Sequence, residues 1–152
     1  MTQQITTWLK IIACFYLALS VSSNAECQKA GKDDVPHGAN QTVELAEQKI
    51  SRLFGTVLFP DRAPAEDIVI ELYRRVGKQS FQETMKQVRL TACITENDSK
   101  FSFPQLQPGR YLLRVGTRKP AGVNELYVPV ILESNARRRA DGGLTLILQL
   151  GT

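Results

Sequence analysis

The stretch FSFPQLQPGRYLLRV, residues 101–115, decides the fold that the sequence predicts. Phe101 and Phe103 alternate with the polar residues Lys100 and Ser102. This two-residue period is typical of a strand with one buried face. Pro104 ends the strand, since proline cannot donate a backbone hydrogen bond to a neighbouring strand.

A turn and a second strand follow in the same stretch. Pro108 and Gly109 are turn residues, and Tyr111, Leu113 and Val115 then resume the alternation. The stretch therefore predicts a strand, a corner and a second strand, with the rings of Phe101, Phe103 and Tyr111 on the buried side.

Five more segments show strand patterns between turn signals: residues 52–59, 68–73, 88–95, 126–132 and 144–150. In the segment 88–95, Val88, Leu90, Ala92 and Ile94 are predicted to face the core and Cys93 to face outward. Residues 74–87 form a connection, where the spacing of Phe81 and Met85 would also suit one helical turn. Seven short strands with little helix predict an all-β, two-sheet β-sandwich.

The segment before these strands divides into two parts. Residues 1–25 combine a start with one positive charge, an apolar run and small residues at 23–25, which predicts a cleaved signal peptide. A membrane anchor is the alternative, but the run is short of the roughly 20 residues that cross a bilayer. Residues 26–49 are predicted to be a polar lead-in, poorly ordered up to Thr42, with 43–48 either a helical turn or a flanking strand. Residues 50–152 would form the domain.

Charge and cysteine content narrow the classes of partner and compartment. The net charge of +4 falls to +3 once Lys10 leaves with the signal, and so mild a surplus does not favour nucleic acid. Cys27 and Cys93 are the two cysteines left after cleavage. We predict a disulfide between them, with the protein periplasmic or secreted.

Two parts of the domain together resemble a known family. The residues are GTVLFPDRAPAEDIVIELY (55–73) and CITENDSKFSFPQLQPGRYLLRV (93–115). They resemble the carboxypeptidase regulatory-like domain, which belongs with transthyretin-like and Cna-B-type sandwiches. The most specific part is the corner of Leu106, Pro108, Gly109 and Tyr111.

The resemblance implies an Ig-like or transthyretin-like sandwich and the role of an accessory or interaction module, with no reaction attached. Tyr111 should fill the core while its hydroxyl bonds a nearby backbone group. Ser99 stands where the family usually has glycine, so Asn97 or Asp98 would have to adopt the positive φ angle.

The sequence offers little for catalysis. His37 is the sole histidine and falls in the lead-in, so a base held against a nucleophile is not expected. Two cysteines far apart and one histidine do not give the paired spacing of a zinc site. We therefore expect a protein that is not an enzyme and has no cofactor and no metal.

Binding is the expected role, either to another extracytoplasmic protein or to an envelope component. The candidate contact regions are a sheet edge at Pro129 and the basic hairpin tip of Arg137, Arg138 and Arg139, although charge runs in loops usually only solubilise. The alternative is a weak carbohydrate-binding module that uses Tyr73 and Tyr127 on outward strand faces, where both could also simply cover the sheet. No membrane span is expected in the mature chain.

Overall fold

The computed structural model describes residues 27–39, 41–77, 79–134 and 143–151. Within these ranges the chain forms ten strands and one short helix. They are β1 (Gln28–Lys29), β2 (Thr42–Glu44), β3 (Gln48–Ile50), β4 (Leu53–Leu58), β5 (Ile68–Arg74), α1 (Phe81–Met85), β6 (Thr91–Ile94), β7 (Lys100–Phe103), β8 (Gly109–Thr117), β9 (Glu125–Leu132) and β10 (Leu144–Ile147). The predicted signal peptide and the tip of Arg137, Arg138 and Arg139 lie outside the described residues.

The strands form two sheets, which confirms the predicted β-sandwich. The large sheet has the order β1-β6-β5-β8-β9-β2, and β3 also pairs with β9. The small sheet has the order β10-β4-β7. The seven predicted strands correspond to β4 through β10, while β1, β2 and β3 come from the lead-in.

The core lies between the two sheets and follows the predicted alternation. Phe101 and Phe103 from β7 pack with the inward residues of β5 and β8 in one buried cluster, and their ring centroids lie 6.2 Å apart. Gly55 in β4 allows close backbone approach, as its position inside a strand predicts. A Cβ atom there would overlap the carbonyl of Leu144 in β10.

The corner before β8 forms as predicted. The Tyr111 ring is buried, and its hydroxyl donates to the Gln107 carbonyl oxygen at 2.6 Å across the Pro108-Gly109 turn. The turn before β7 differs from the prediction. Ser99 itself adopts the positive φ, at 55°, so this serine, and neither Asn97 nor Asp98, takes the left-handed backbone conformation.

The strand β6 is shorter than predicted and its faces are exchanged. Thr91 pairs with Leu72, yet the Leu90 N–H also donates to the Leu72 carbonyl at 2.9 Å. Two residues therefore oppose one, which is a β-bulge at the start of β6. Cys93 opposes Ile70 in the register and joins the inter-sheet core with it, whereas Ala92 and Ile94 pack on the opposite face.

Two apolar side chains that precede β6 lie outside the core. Val88 is 88% exposed and Leu90 is 51% exposed. The prediction that both face the interior is wrong, because the strand begins only at Thr91 and its inward residue is Cys93.

The lead-in is an ordered part of the sandwich in the described residues. At one edge of the large sheet β1 pairs antiparallel with β6. At the other edge β2 and β3 pair parallel with β9. The expectation of a poorly ordered segment up to Thr42 is wrong for these residues, since their backbone groups complete both edges. The flanking-strand alternative for 43–48 is the one that forms.

The strand β9 is consequently not an open edge near Pro129. The strand β2 pairs with residues 125–127 and β3 with residues 130–132. Pro129 lies where one lead-in strand gives way to the next, so its missing N–H interrupts neither. The predicted contact edge at Pro129 is therefore covered.

The helix α1 covers part of the outer face of the large sheet. Ser80 caps it and exchanges hydrogen bonds with Glu83 in a capping box. Phe81 and Met85 pack on Tyr73, Leu112 and Tyr127, which confirms the single helical turn suggested by their spacing. No helix in the described part of the chain is long and apolar enough to cross a membrane.

Candidate binding surface

The outer face of the large sheet carries a buried charged network. Glu71 has a side chain that is only 3% exposed and lies 2.9 Å from Arg89 and 3.3 Å from Arg114. Arg114 also holds Glu125 through two hydrogen bonds of 2.9 Å. Burial alone would lower the pKa of Arg114, but its hydrogen bond to Glu125 and that carboxylate's charge raise it overall. The charged side chains of Glu71, Arg89, Arg114 and Glu125 are therefore paired with one another.

The two tyrosines proposed as a sugar platform belong to this network. Tyr73 and Tyr127 are only 6% and 8% exposed. Their hydroxyls donate to Glu71 at 2.9 Å and to Glu125 at 3.1 Å. Burial, followed by the hydrogen bond to Glu71, raises the pKa of Tyr73 to about 12. Their stacking faces are covered, in agreement with the alternative that they cover the sheet.

The same network holds the lead-in against the sheet. Arg89 donates to the carbonyl oxygens of Asp34 at 2.9 Å and Gly31 at 2.8 Å, and Arg114 donates to that of Pro36 at 3.3 Å. The Gly31 N–H and the Arg118 guanidinium lower the pKa of the Asp34 carboxyl. The network is therefore a clamp for the lead-in.

His37 is also fixed by this arrangement. Its backbone exchanges hydrogen bonds with Thr117 at 2.8 and 2.9 Å. His37 thus forms a backbone bridge to β8, while its side chain stays half-buried. In the described part of the chain no group of three His, Cys, Asp or Glu side chains is placed to hold a metal ion.

The disulfide predicted from the cysteine count is present. Cys27 and Cys93 are bonded, with their Cα atoms 5.6 Å apart. Cys93 reaches its partner from the inter-sheet side, whereas the sequence pattern placed it outward. The bond thus ties the start of the described chain to β6 at one open edge of the sandwich.

A recess of about 400 Å³ lies at this edge and is called here the disulfide recess. Its lining residues are Cys27, Lys29, Thr91, Ala92, Cys93, Ser102, Phe103, Pro104 and Leu106. It separates the end of β7 in the small sheet from β1 and β6 in the large sheet. Exposed Leu90 immediately precedes Thr91, which is a residue of the lining.

A second recess of about 260 Å³, the Arg52 recess, adjoins the first. The two share Ser102, Phe103, Pro104 and Leu106, so the end of β7 forms a ridge between them. Arg52 lies over the Phe54 ring at 5.7 Å. Each lining contains one cation, Lys29 in the first and Arg52 in the second, and neither contains a carboxylate.

The ridge also presents backbone polar groups. Val57 N–H donates to the Ser99 carbonyl, and the register pairs Phe101 with Gly55 and Phe103 with Leu53. Because bonded pairs alternate in an antiparallel ladder, the N–H and C=O of Ser102 point away from β4. The Ser102 carbonyl oxygen lies 4.0 Å from Cys27 Sγ, on the side of the disulfide recess.

Sequence reasoning found the disulfide and the strand that forms the ridge but missed the recesses and the charged clamp. Glu71 and Arg114 on outward strand positions were a usable signal for the clamp. The lead-in carbonyl groups that complete it carry no signal in the sequence.

Comparison with known proteins gives distant structural similarity. No family model and no curated protein matches the chain. Catechol 1,2-dioxygenase from Pseudomonas arvilla C-1 is similar over 81% of this chain and 62% of its own, at 12% identity and a TM-score of 0.39. Hydroxyquinol 1,2-dioxygenase from Pseudomonas putida DLL-E4 is similar over 93% and 71%, at 11% identity and a TM-score of 0.39. The chain thus spans less than two thirds of the first of these proteins.

Proposed function

We propose that this chain is a non-catalytic, extracytoplasmic β-sandwich module that binds another protein of that compartment. The observation that carries the proposal is a pair of exposed apolar side chains that precede a residue of the disulfide recess in the chain. Val88 and Leu90 are 88% and 51% exposed, and the chain continues from them into the lining of the disulfide recess. Exposed apolar groups that adjoin a concave site are typical of interaction surfaces.

Other features support a binding module over a catalyst. The buried acids and guanidinium groups of the outer face are used to hold the lead-in. The disulfide supports an oxidising compartment. The motif at residues 55–57 and the corner at 106–111 support a module of the carboxypeptidase regulatory-like type.

The contact region in this proposal lies at the disulfide recess instead of Pro129. Arg137, Arg138 and Arg139 remain candidate contacts for an anionic envelope component. The carbohydrate alternative loses the two tyrosine faces on which it depended, so a protein partner is the better supported occupant.

Site-specific photo-crosslinking in cells of the source organism tests the proposal. A benzophenone side chain replaces Leu90 in one variant and Val76, which is 59% exposed, in a matched control. We expect a discrete protein adduct from position 90 and none from position 76. Excess wild-type protein should compete the adduct away, whereas excess Leu90→Asp protein should not.

Two results would count against the proposal. One is the same adducts, or none, from both positions. The other is an adduct at position 90 that resists protease and disappears on glycosidase treatment, which would favour the carbohydrate alternative.

A further inference from the structure

We infer that the disulfide recess takes a large apolar side chain of an extended, acidic segment of a partner protein, with a carboxylate of that segment placed against Lys29. This inference rests on the proposed binding function and deepens it, because it specifies the chemistry of the partner.

The size and walls of the recess define the apolar requirement. Its volume of about 400 Å³ is at the small end of ligand pockets. The Phe103 ring, Pro104, Leu106 and the disulfide supply apolar walls. A recess with such walls favours a single bulky apolar side chain, which displaces poorly ordered water when it enters.

The backbone groups of Ser102 are the reason that we expect the partner segment to bind in an extended conformation. Its N–H and C=O point away from β4, and in the described part of the chain β7 is an edge strand of the small sheet, with Cys27 Sγ 4.0 Å from this carbonyl oxygen. A segment that runs along β7 can bond these groups as an added strand would, while its alternate side chains enter the recess or face solvent. The backbone of the partner segment can form hydrogen bonds with both groups, whatever its amino-acid sequence.

The charge of the two recesses defines the acidic requirement. Lys29 and Arg52 are exposed cations in the two linings, and both linings lack carboxylates. Among the described residues Lys29 forms no ion pair, in contrast to Arg89, Arg114 and Arg118. A carboxylate next to the anchoring side chain would meet complementary charge on either side of the ridge, which sets specificity more than affinity.

Selection from a phage-displayed library of random eight-residue peptides tests this inference on the oxidised protein. We expect enriched peptides to carry a large apolar residue with Asp or Glu within two positions. A synthetic consensus peptide should bind Lys29→Glu about five- to tenfold more weakly than wild type, as expected for reversal of a contact charge. Lys49→Glu is the matched control, because Lys49 is exposed on β3 and lines neither recess, and it should bind within twofold of wild type.

The outcomes separate this inference from the function on which it rests. Enriched peptides without acidic residues, or equal binding by Lys29→Glu and Lys49→Glu, would overturn the acidic requirement. If Leu90→Asp still abolished the binding of those peptides, the proposed binding function would stand. A library with no enriched peptide would overturn the inference itself, and the crosslink at position 90 would then decide whether the binding function also fails. Circular dichroism spectra matching wild type would show that each variant is folded.

Discussion

Replacement of Glu71 by glutamine removes one charge from the centre of the clamp with almost no change in shape. The Glu71 side chain is 3% exposed and lies within 2.9 Å of Arg89 and 3.3 Å of Arg114. It also accepts a hydrogen bond from Tyr73 at 2.9 Å. The variant leaves two guanidinium groups, 20% and 23% exposed, facing each other without the carboxylate between them.

The expected loss of unfolding free energy is the difference between two opposing electrostatic effects, the lost attraction to the arginines and the avoided desolvation of the carboxylate. At an effective dielectric constant near 20, each charge pair at about 4 Å contributes about 4 kcal/mol. The variant recovers several kcal/mol of this stability because no carboxylate has to be desolvated on folding. The glutamine side chain also keeps an oxygen that can accept a hydrogen bond from one of the donors that contact Glu71. A net loss of about 3 kcal/mol remains, at the low end for removal of one partner from a buried ion pair. That is a large share of the roughly 5–15 kcal/mol that stabilises a domain.

Urea unfolding followed by circular dichroism measures this loss as a lower midpoint with an unchanged slope. Asp67→Asn is the matched control, because the Arg118–Asp67 pair spans 3.6 Å with side chains 45% and 51% exposed, and an exposed pair contributes at most about 1 kcal/mol. A loss below about 1 kcal/mol for Glu71→Gln, or one equal to that of Asp67→Asn, would refute the clamp.

Three further predictions concern the covalent link, pH and one turn. The Cys27→Ala/Cys93→Ala double variant should lose about 4 kcal/mol in urea unfolding, because the bond closes a loop with a sequence separation of 66; two free thiols in alkylated, unreduced wild type would contradict this. The pKa of Tyr73 is raised to about 12 from 10.0, so the unfolded state loses its proton first and stability should fall as pH rises from about 10 to 12. Tyr73→Phe should show a shallower decline over that range, and equal slopes would oppose the assignment. Ser99→Gly should raise the unfolding free energy by about 1 kcal/mol, since φ of 55° strains an L-residue; a fall in the unfolding midpoint would contradict this.

The core of the fold could be predicted because the alternation of apolar and polar residues within each strand determines which side chains are buried. Alternation in residues 101–115 placed Phe101, Phe103 and Tyr111 between the sheets, and the same period located the other strands of the sandwich. These residues follow a local rule that holds wherever one face of a strand is buried.

The errors arose where tertiary contacts override the local pattern. The register of β6 against β5 turns Cys93 inward and Ala92 and Ile94 outward, so the apolar alternation that begins at Val88 and Leu90 predicts the wrong face. The lead-in has the polar composition of a loose terminus, yet its order comes from backbone pairing with β6 and β9 and from Arg89 and Arg114. Backbone pairing leaves no composition signal.

Of the candidate site, only the disulfide could be predicted from the sequence. Counting cysteines in an oxidising compartment gave the pair of Cys27 and Cys93 but not the face on which it lies. The recess depends on how β7 meets β1 and β6 across the two sheets, and no pattern within one strand carries that information.

Hydrogen exchange of the protein in complex with its crosslinked partner tests the central claim most directly. The account predicts slower exchange of amides in residues 88–91 and 102–106 than in the free protein, with unchanged exchange in α1 and β3. Protection confined to α1, to β3 or to the outer face of the large sheet, with residues 88–91 and 102–106 unaffected, would contradict it.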